Sequence, residues 1–361
     1  MHKLNFDAPF NSLSLGNVSL NFLRELSKKD LDLNIFPYGN NVDLDAYDKL
    51  DEEIPKLISE NAKTNLKRLD RSTPTLKVWH INGAERKIGD KQFLYTFYEV
   101  DSPTEEEVAI VKSQNHVFFS CSDAAQYFKD KGCDNVSYVP LGFDKDFCKT
   151  NKEYLGKDVI HFGLIGKLER RKNTQALIQL WVKKFGNNPK FQLTCLIGNP
   201  FLKQEQMDQL ITASLGNQKY SNVNFLPRLK TNSEVNDLMN AIDVDLSGLS
   251  NGEGWNLPAF NATALGKWSI VSDYSSHKDW ATKDNCILVE VKDKQPCYDG
   301  IFFREGDAFN QGQYARLNGN DIDNALNLSV QVAKSENTEG IKLQEEFTYE
   351  KTIDKILEKI Y

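Results

Sequence analysis

Short apolar runs alternate with longer stretches of helical period along nearly the whole of this 361-residue chain. A strand buried on both faces reads as a continuous apolar run, and a helix laid over a sheet reads with a period near 3.6. The alternation therefore prescribes parallel sheets covered by helices.

The runs fall into two series. The first comprises 4–6, 33–36, 76–81, 93–97, 117–120 and 136–140, and the second 159–165, 191–197, 223–226, 244–249, 268–271 and 287–291. Between the first two runs of the second series, Ala176, Leu177, Leu180 and Trp181 share one helical face behind Asn173 as N-cap. The polar stretch Lys149-Thr-Asn-Lys-Glu153 follows Pro140-Leu-Gly142, which sets a linker at 144–156. The expected architecture is α/β: two Rossmann-like doubly wound domains, 1–150 and 151–337, facing across a cleft. In the tail, 338–361, Phe347, Ile353, Ile356, Leu357 and Ile360 predict one or two amphipathic helices packing back towards the N-terminal domain. Such sheets bind ligands at strand carboxyl ends, so the cleft is the expected ligand site.

Composition narrows the class. No apolar run is long enough to span a bilayer, mean hydropathy is −0.51, and the first residues lack the apolar core of a signal peptide. The six cysteines show no CxxC spacing, as expected of thiols in a reducing compartment. These features point to a cytoplasmic protein, with peripheral membrane attachment, or host cytoplasm for a viral chain, as variants. A net charge of −7 and a pI near 5.4 oppose nonspecific attachment to nucleic acid.

Three turns between strand and helix carry the candidate chemistry. Gly16 and Asn17 follow the first strand, where a glycine lets backbone approach a ligand; the full GxGxxG is absent, which disfavours a dinucleotide cofactor. Gly166-Lys-Leu-Glu-Arg-Arg-Lys172 places Lys167, Arg170, Arg171 and Lys172 between an apolar strand and a helix N-terminus. Four cations there would repel one another without an anion, which predicts a diphosphate site with a solvent-facing Lys172. Glu253-Gly-Trp-Asn-Leu-Pro258 opens a further helix. Its Glu253, with Asn261 in the first turn, is suited to sugar or ribose hydroxyls, and Gly254, Trp255, Asn256 and Leu257 offer backbone N–H groups to phosphate.

The frame Glu253-Gly-Trp-Asn-Leu-Pro-Ala-Phe-Asn261 resembles the Glu-x7-Glu motif of family-4 retaining glycosyltransferases of the GT-B fold. Tyr138-Val-Pro-Leu-Gly-Phe-Asp144 and the 166–172 segment are similar to that family's end of the first domain and its phosphate loop. Asn261 stands where the family has its second Glu, Asn256 where it has Gly, and Lys167 where Arg is commoner. The resemblance implies an enzyme that moves a hexose from a UDP- or GDP-sugar donor to an acceptor hydroxyl with retention, needing no cofactor and no metal. Glu253 would then hold the sugar and Asn261 the ribose. Arg171 and Lys172 would neutralise the diphosphate, Gly16 would close on it, and the turn with Arg228 and Leu229 would border the base. His80 would lie near the sugar and Glu99 on the acceptor side.

Asp243-Val-Asp245 imitates a metal-binding DxD, but Asp243 closes a helix and Asp245 enters a strand, which predicts capping roles. The ordinary acceptor for this architecture is a glycan or lipid-linked sugar. A second reading makes the acceptor a hydroxymethylated base in DNA, met by the basic stretch 61–71 and Glu85-Arg-Lys87. A third makes the chain a catalytically weak nucleotide-sugar-binding protein, with Asn256 and Asn261 as marks of lost turnover.

Overall fold

The computed structural model describes residues 2–361. The chain forms two compact units. Unit 1 comprises Met1–Asp146, Gly300–Gly312 and Phe347–Tyr361, and unit 2 comprises Phe147–Asp299 and Gln313–Glu346.

Unit 1 runs β1 (His2–Phe10), α1 (Ser14–Leu26), β2 (Leu31–Val42), α2 (Glu53–Arg68), β3 (Thr75–Val78), β4 (Gln92–Thr96), α3 (Glu105–Lys112), β5 (His116–Phe119), α4 (Ser122–Asp130) and β6 (Val136–Tyr138). Its six strands form one sheet in the order β2-β1-β3-β4-β5-β6, and every pairing is parallel. Leu4, Phe6, Leu76, Val78, Leu94, Val117 and Phe119 are buried along these strands, so the apolar runs are the sheet's interior.

Unit 2 runs β7 (Ile160–Ile165), α5 (Thr174–Phe185), β8 (Phe191–Leu196), α6 (Gln204–Ser214), β9 (Val223–Phe225), α7 (Asn232–Ala241), β10 (Val244–Asp245), α8 (Leu257–Ala264), β11 (Trp268–Asp273) and β12 (Cys286–Glu290). These strands make a second parallel sheet, β12-β11-β10-β7-β8-β9, packed over Phe162, Leu164, Ile178, Trp181, Leu193 and Ile270. An antiparallel ribbon, β13 (Asp293–Pro296) with β14 (Gln313–Arg316), precedes α9 (Gly319–Val332). The chain ends in α10 (Thr338–Ile341), α11 (Leu343–Glu346) and α12 (Tyr349–Ile360), where the tail's helical period predicts one or two helices. The first two group with unit 2 and the last with unit 1.

Two local departures from the sequence pattern have clear causes. The apolar run 244–249 is a strand only over Val244–Asp245, because the Asp245 carboxylate accepts from both the Ser247 N–H (3.1 Å) and its hydroxyl (2.6 Å), turning the chain out of the sheet. Asn173 does occupy the N-cap of α5, yet with φ 56° and no capping bond from its side chain.

Candidate active site

Strand order fixes where a ligand is met. In the sheet of unit 2 the winding reverses between β7 and β10, so the loops leaving their carboxyl ends run to opposite sides and leave a crevice. The loop after β7 carries 166–173, and the loop after β10 carries 246–256. Hydrogen bonds join the two loops: the Asn251 N–H donates to the Arg171 carbonyl (2.8 Å), Asn251 Nδ2 to the Arg170 carbonyl (3.2 Å) and Arg171 Nη1 to the Gly252 carbonyl (2.6 Å).

That joining gathers a charge cluster in which Arg171 and Glu253 are buried and Glu169 and Lys172 half-buried. Lys172 Nζ lies 2.6 Å from Glu253 Oε1, Arg171 Nη1 lies 3.1 Å from Glu253 Oε2, and Arg171 Nη2 lies 2.8 Å from Glu169 Oε1. Burial alone would raise the Glu253 carboxyl, but the charges of Lys172 and Arg171 outweigh it and hold the pKa at about 2. The expectation that this loop needs an outside anion is corrected here, since Glu169 and Glu253 balance Arg171 and Lys172. The other two cations also have local contacts: Arg170 donates to the Tyr298 carbonyl (2.7 Å), and Lys167 Nζ sits 5.3 Å from the Phe201 ring centre. Nor does Lys172 face solvent, because its side chain is only 17% exposed.

The loop after β10 gives Asn256 a structural role. Asn256 is the N-cap of α8 with φ 69°, a left-handed conformation that Asn tolerates better than most residues. Its Oδ1 accepts from the Ala259 N–H (3.4 Å), and its Nδ2 donates to the Ser247 carbonyl (2.8 Å) and to His277 Nε2 (2.9 Å). Those bonds assign the His277 proton to Nδ1, which donates to the Ser272 carbonyl at 2.9 Å. Ser275 Oγ donates to the Glu253 carbonyl (2.8 Å), and Trp280 Nε1 donates to the carbonyl of the buried Trp255, whose ring packs against Phe260. Asn256→Ala should cost about 2–4 kcal/mol by straining the left-handed turn and leaving His277 Nε2 unpaired, whereas Asn256→Gly should cost less. Equal losses on urea unfolding would show that the backbone conformation is irrelevant.

Burial pushes His277 down to about 4 from its ordinary 6.5, and the nearby Glu253 carboxylate only partly opposes this. An unfolded chain takes this proton below pH 6.5 and the folded chain only below about 4. The associated stability is therefore complete above pH 6.5 and falls as the pH drops towards 4, by roughly 3 kcal/mol in all. Urea unfolding at pH 7.5 and 4.5 should show His277→Gln losing less than the wild type across that interval. An identical decline in both would contradict the assignment.

The remaining sequence candidates are placed as follows. Asn261 lies in the second turn of α8 and not the first, since α8 starts at Leu257; it is buried, and its Oδ1 accepts no hydrogen bond from the described residues. Gly254 lies in the buried loop before α8. Arg228 is exposed and Leu229 half-buried just beyond β9, the edge strand. In unit 1 the winding reverses at β1 and β3, and Gly16, Asn17 and His80 follow the carboxyl ends of those two strands. Gly16 is inside the first turn of α1, where a Cβ would stand 2.2 Å from the Asn11 carbonyl oxygen, so the close approach it permits is to its own loop. Asn17 Nδ2 donates to Asp144 Oδ2 (2.9 Å). His80 is exposed with its ring 5.6 Å from that of Trp79, and Glu99 is half-buried after β4. The structure thus brings Arg171, Lys172 and Glu253 into direct contact. Glu169 and the Asn256–His277 pairing adjoin this cluster through contacts that no periodicity signals.

Asp243 accepts from the His161 N–H (2.8 Å) and pairs with Lys334 (2.6 Å), while Asp245 turns the chain as described. In the basic stretch, Arg68 pairs with Asp32 and Arg71 with Asp90. A cavity of about 550 Å³ opens at the amino-terminal ends of β7 and β11, away from these loops, and its lysines are largely occupied: Lys149 with Glu336, Lys334 with Asp243, and Lys267 with the Asn240 carbonyl.

Residues 149–301 match the family described as Glycosyl transferases group 1. No curated protein gives a significant sequence match. Among solved structures, sucrose-phosphate synthase from Thermosynechococcus elongatus superposes with TM-score 0.67 at 14% identity, covering 99% of this chain and 98% of that one. A glycosyltransferase from Rickettsia africae gives 0.68 at 12% identity, covering 99% and 97%. HepE from Anabaena in complex with UDP gives 0.63 at 13% identity, covering 99% of each chain. The fold is that of the GT-B glycosyltransferases, two Rossmann-like units over the whole chain.

Proposed function

We propose that this protein is a retaining glycosyltransferase that moves a hexose from a UDP- or GDP-sugar to an acceptor hydroxyl, without a metal. The observation that carries the reading is the contact of Lys172 and Arg171 with Glu253 at the β7/β10 crossover, the position where a doubly wound sheet takes its nucleotide. HepE, of the same fold, has been solved with UDP and with UDP-glucose, which supports a uridine donor.

In this reading Arg171 and Lys172, with Lys167 beside them, take the diphosphate, and the N–H groups of 254–257 bind its oxygens. Glu253 accepts from sugar hydroxyls, Asn261 takes the ribose through its unpartnered Oδ1, and Arg228 and Leu229 border the base. In unit 1, Gly16 and Asn17 serve the donor, His80 the transferred sugar and Glu99 the acceptor. The bond from the anomeric carbon to the diphosphate oxygen breaks as the acceptor oxygen bonds to the same carbon on the same face, and a donor phosphate oxygen takes the acceptor proton. Negative charge grows on the departing diphosphate, so fixed cations there lower the barrier more than they hold the substrate. The acceptor is a glycan or lipid-linked sugar. Paired Arg68 and Arg71 give the DNA reading no support.

A melting-temperature series with UDP-, GDP- and ADP-sugars tests the donor, since a ligand at about 100 times its Kd adds about 2.7 kcal/mol of stability. One UDP- or GDP-sugar should raise the melting temperature. No response to any nucleotide sugar would remove the proposal.

A further inference from the structure

The four charges of this cluster, Glu169, Arg171, Lys172 and Glu253, are balanced in the empty site, and they are not equally fixed. Arg171 is held by several partners, among them the Gly252 carbonyl, Glu169 and Glu253. Lys172 Nζ has one hydrogen bond among the described residues, to Glu253 Oε1, and its side chain is the more exposed of the two cations, at 17% against 8%. Glu253 itself is anchored through its backbone by Ser275 and by the joined loops. Any exchange at this site is therefore made by the Lys172 ammonium.

A phosphate oxygen that takes Lys172 must displace a carboxylate bonded at 2.6 Å and brings a second negative charge beside it. A bare diphosphate offers only acceptors and leaves Glu253 Oε1 without a donor. A sugar hydroxyl supplies one. We propose that Glu253 is a resident anion that occupies Lys172 in the empty site, so that the site favours sugar-bearing nucleotide over bare nucleoside diphosphate. Once the sugar has left, the carboxylate recaptures Lys172 and hastens release of the spent diphosphate. This rests on the donor-site reading above and adds to it a selection between donor and product.

Calorimetric titration of the full chain with inorganic pyrophosphate and with UDP tests the exchange. Glu253→Gln, which keeps the shape and removes the charge, should bind both about tenfold more tightly than the wild type, and the preference for UDP-glucose over UDP should shrink by a similar factor. Lys172→Met should bind all three more weakly. If Lys172→Met weakens binding while Glu253→Gln leaves pyrophosphate unchanged or weaker, the resident-anion role is wrong and the donor site stands. If Lys172→Met changes nothing, the donor site itself is misplaced. Should Glu253→Gln fail to give a cooperative melt, Glu253→Asp, which draws the carboxylate back from Lys172, carries the same expectation at about threefold; unchanged or weaker pyrophosphate binding by that variant would equally overturn the role.

Discussion

Lys172→Met is expected to lower kcat/KM for transfer by about a hundredfold or more, the usual effect of deleting one preplaced group that meets charge developing in a transition state. The stability loss should be smaller, about 1–3 kcal/mol, because Arg171 still accompanies the buried Glu253 carboxylate at 3.1 Å. Initial rates with a UDP- or GDP-sugar, alongside urea unfolding, separate the two. Unchanged kcat/KM in a folded variant would remove Lys172 from the chemistry.

Glu253→Gln should act in the opposite sense on binding and in the same sense on turnover. Transfer should fall by about a hundredfold, because an amide oxygen is a weaker acceptor than a carboxylate for sugar hydroxyls that must be held in reacting geometry. Affinity for the bare nucleotide should not fall with it. Steady-state rates and UDP titration on one preparation decide the matter, and parallel losses of both would show that Glu253 belongs to phosphate binding rather than to the sugar.

Much of the fold was readable because it depends on runs of residues. All twelve apolar runs expected as strands contain one, since burial on both faces of a parallel sheet leaves few polar positions inside a strand. What escaped depends on single side chains or on contacts distant in sequence. The shortening of β10 comes from one carboxylate, Asp245, bonding two residues ahead. The ribbon strand β13 reads Asp-Lys-Gln-Pro, with no apolar period to show it, and 300–312 groups with unit 1 across a long sequence separation.

The candidate site was legible to a similar depth. Spacing and the turn residues led to 166–172 and 253–261, but not to the pairing between them. A run of Lys and Arg signals positive charge; it does not reveal that Glu169, inside the same run, and Glu253, 81 residues beyond Lys172, already neutralise it. The stretch Ser272-Asp-Tyr-Ser-Ser-His277 fits the same family resemblance, but the pairing of His277 with the Asn256 amide that fixes its proton, 21 residues away, is not visible in the sequence.

A structure of the chain bound to a UDP-sugar tests the central claim most directly. The diphosphate should lie within about 3.2 Å of Lys172 Nζ, the Lys172–Glu253 bond should be broken, and a sugar hydroxyl should donate to the Glu253 carboxylate. A nucleotide sugar bound elsewhere, with Lys172 still at 2.6 Å from Glu253, would contradict it.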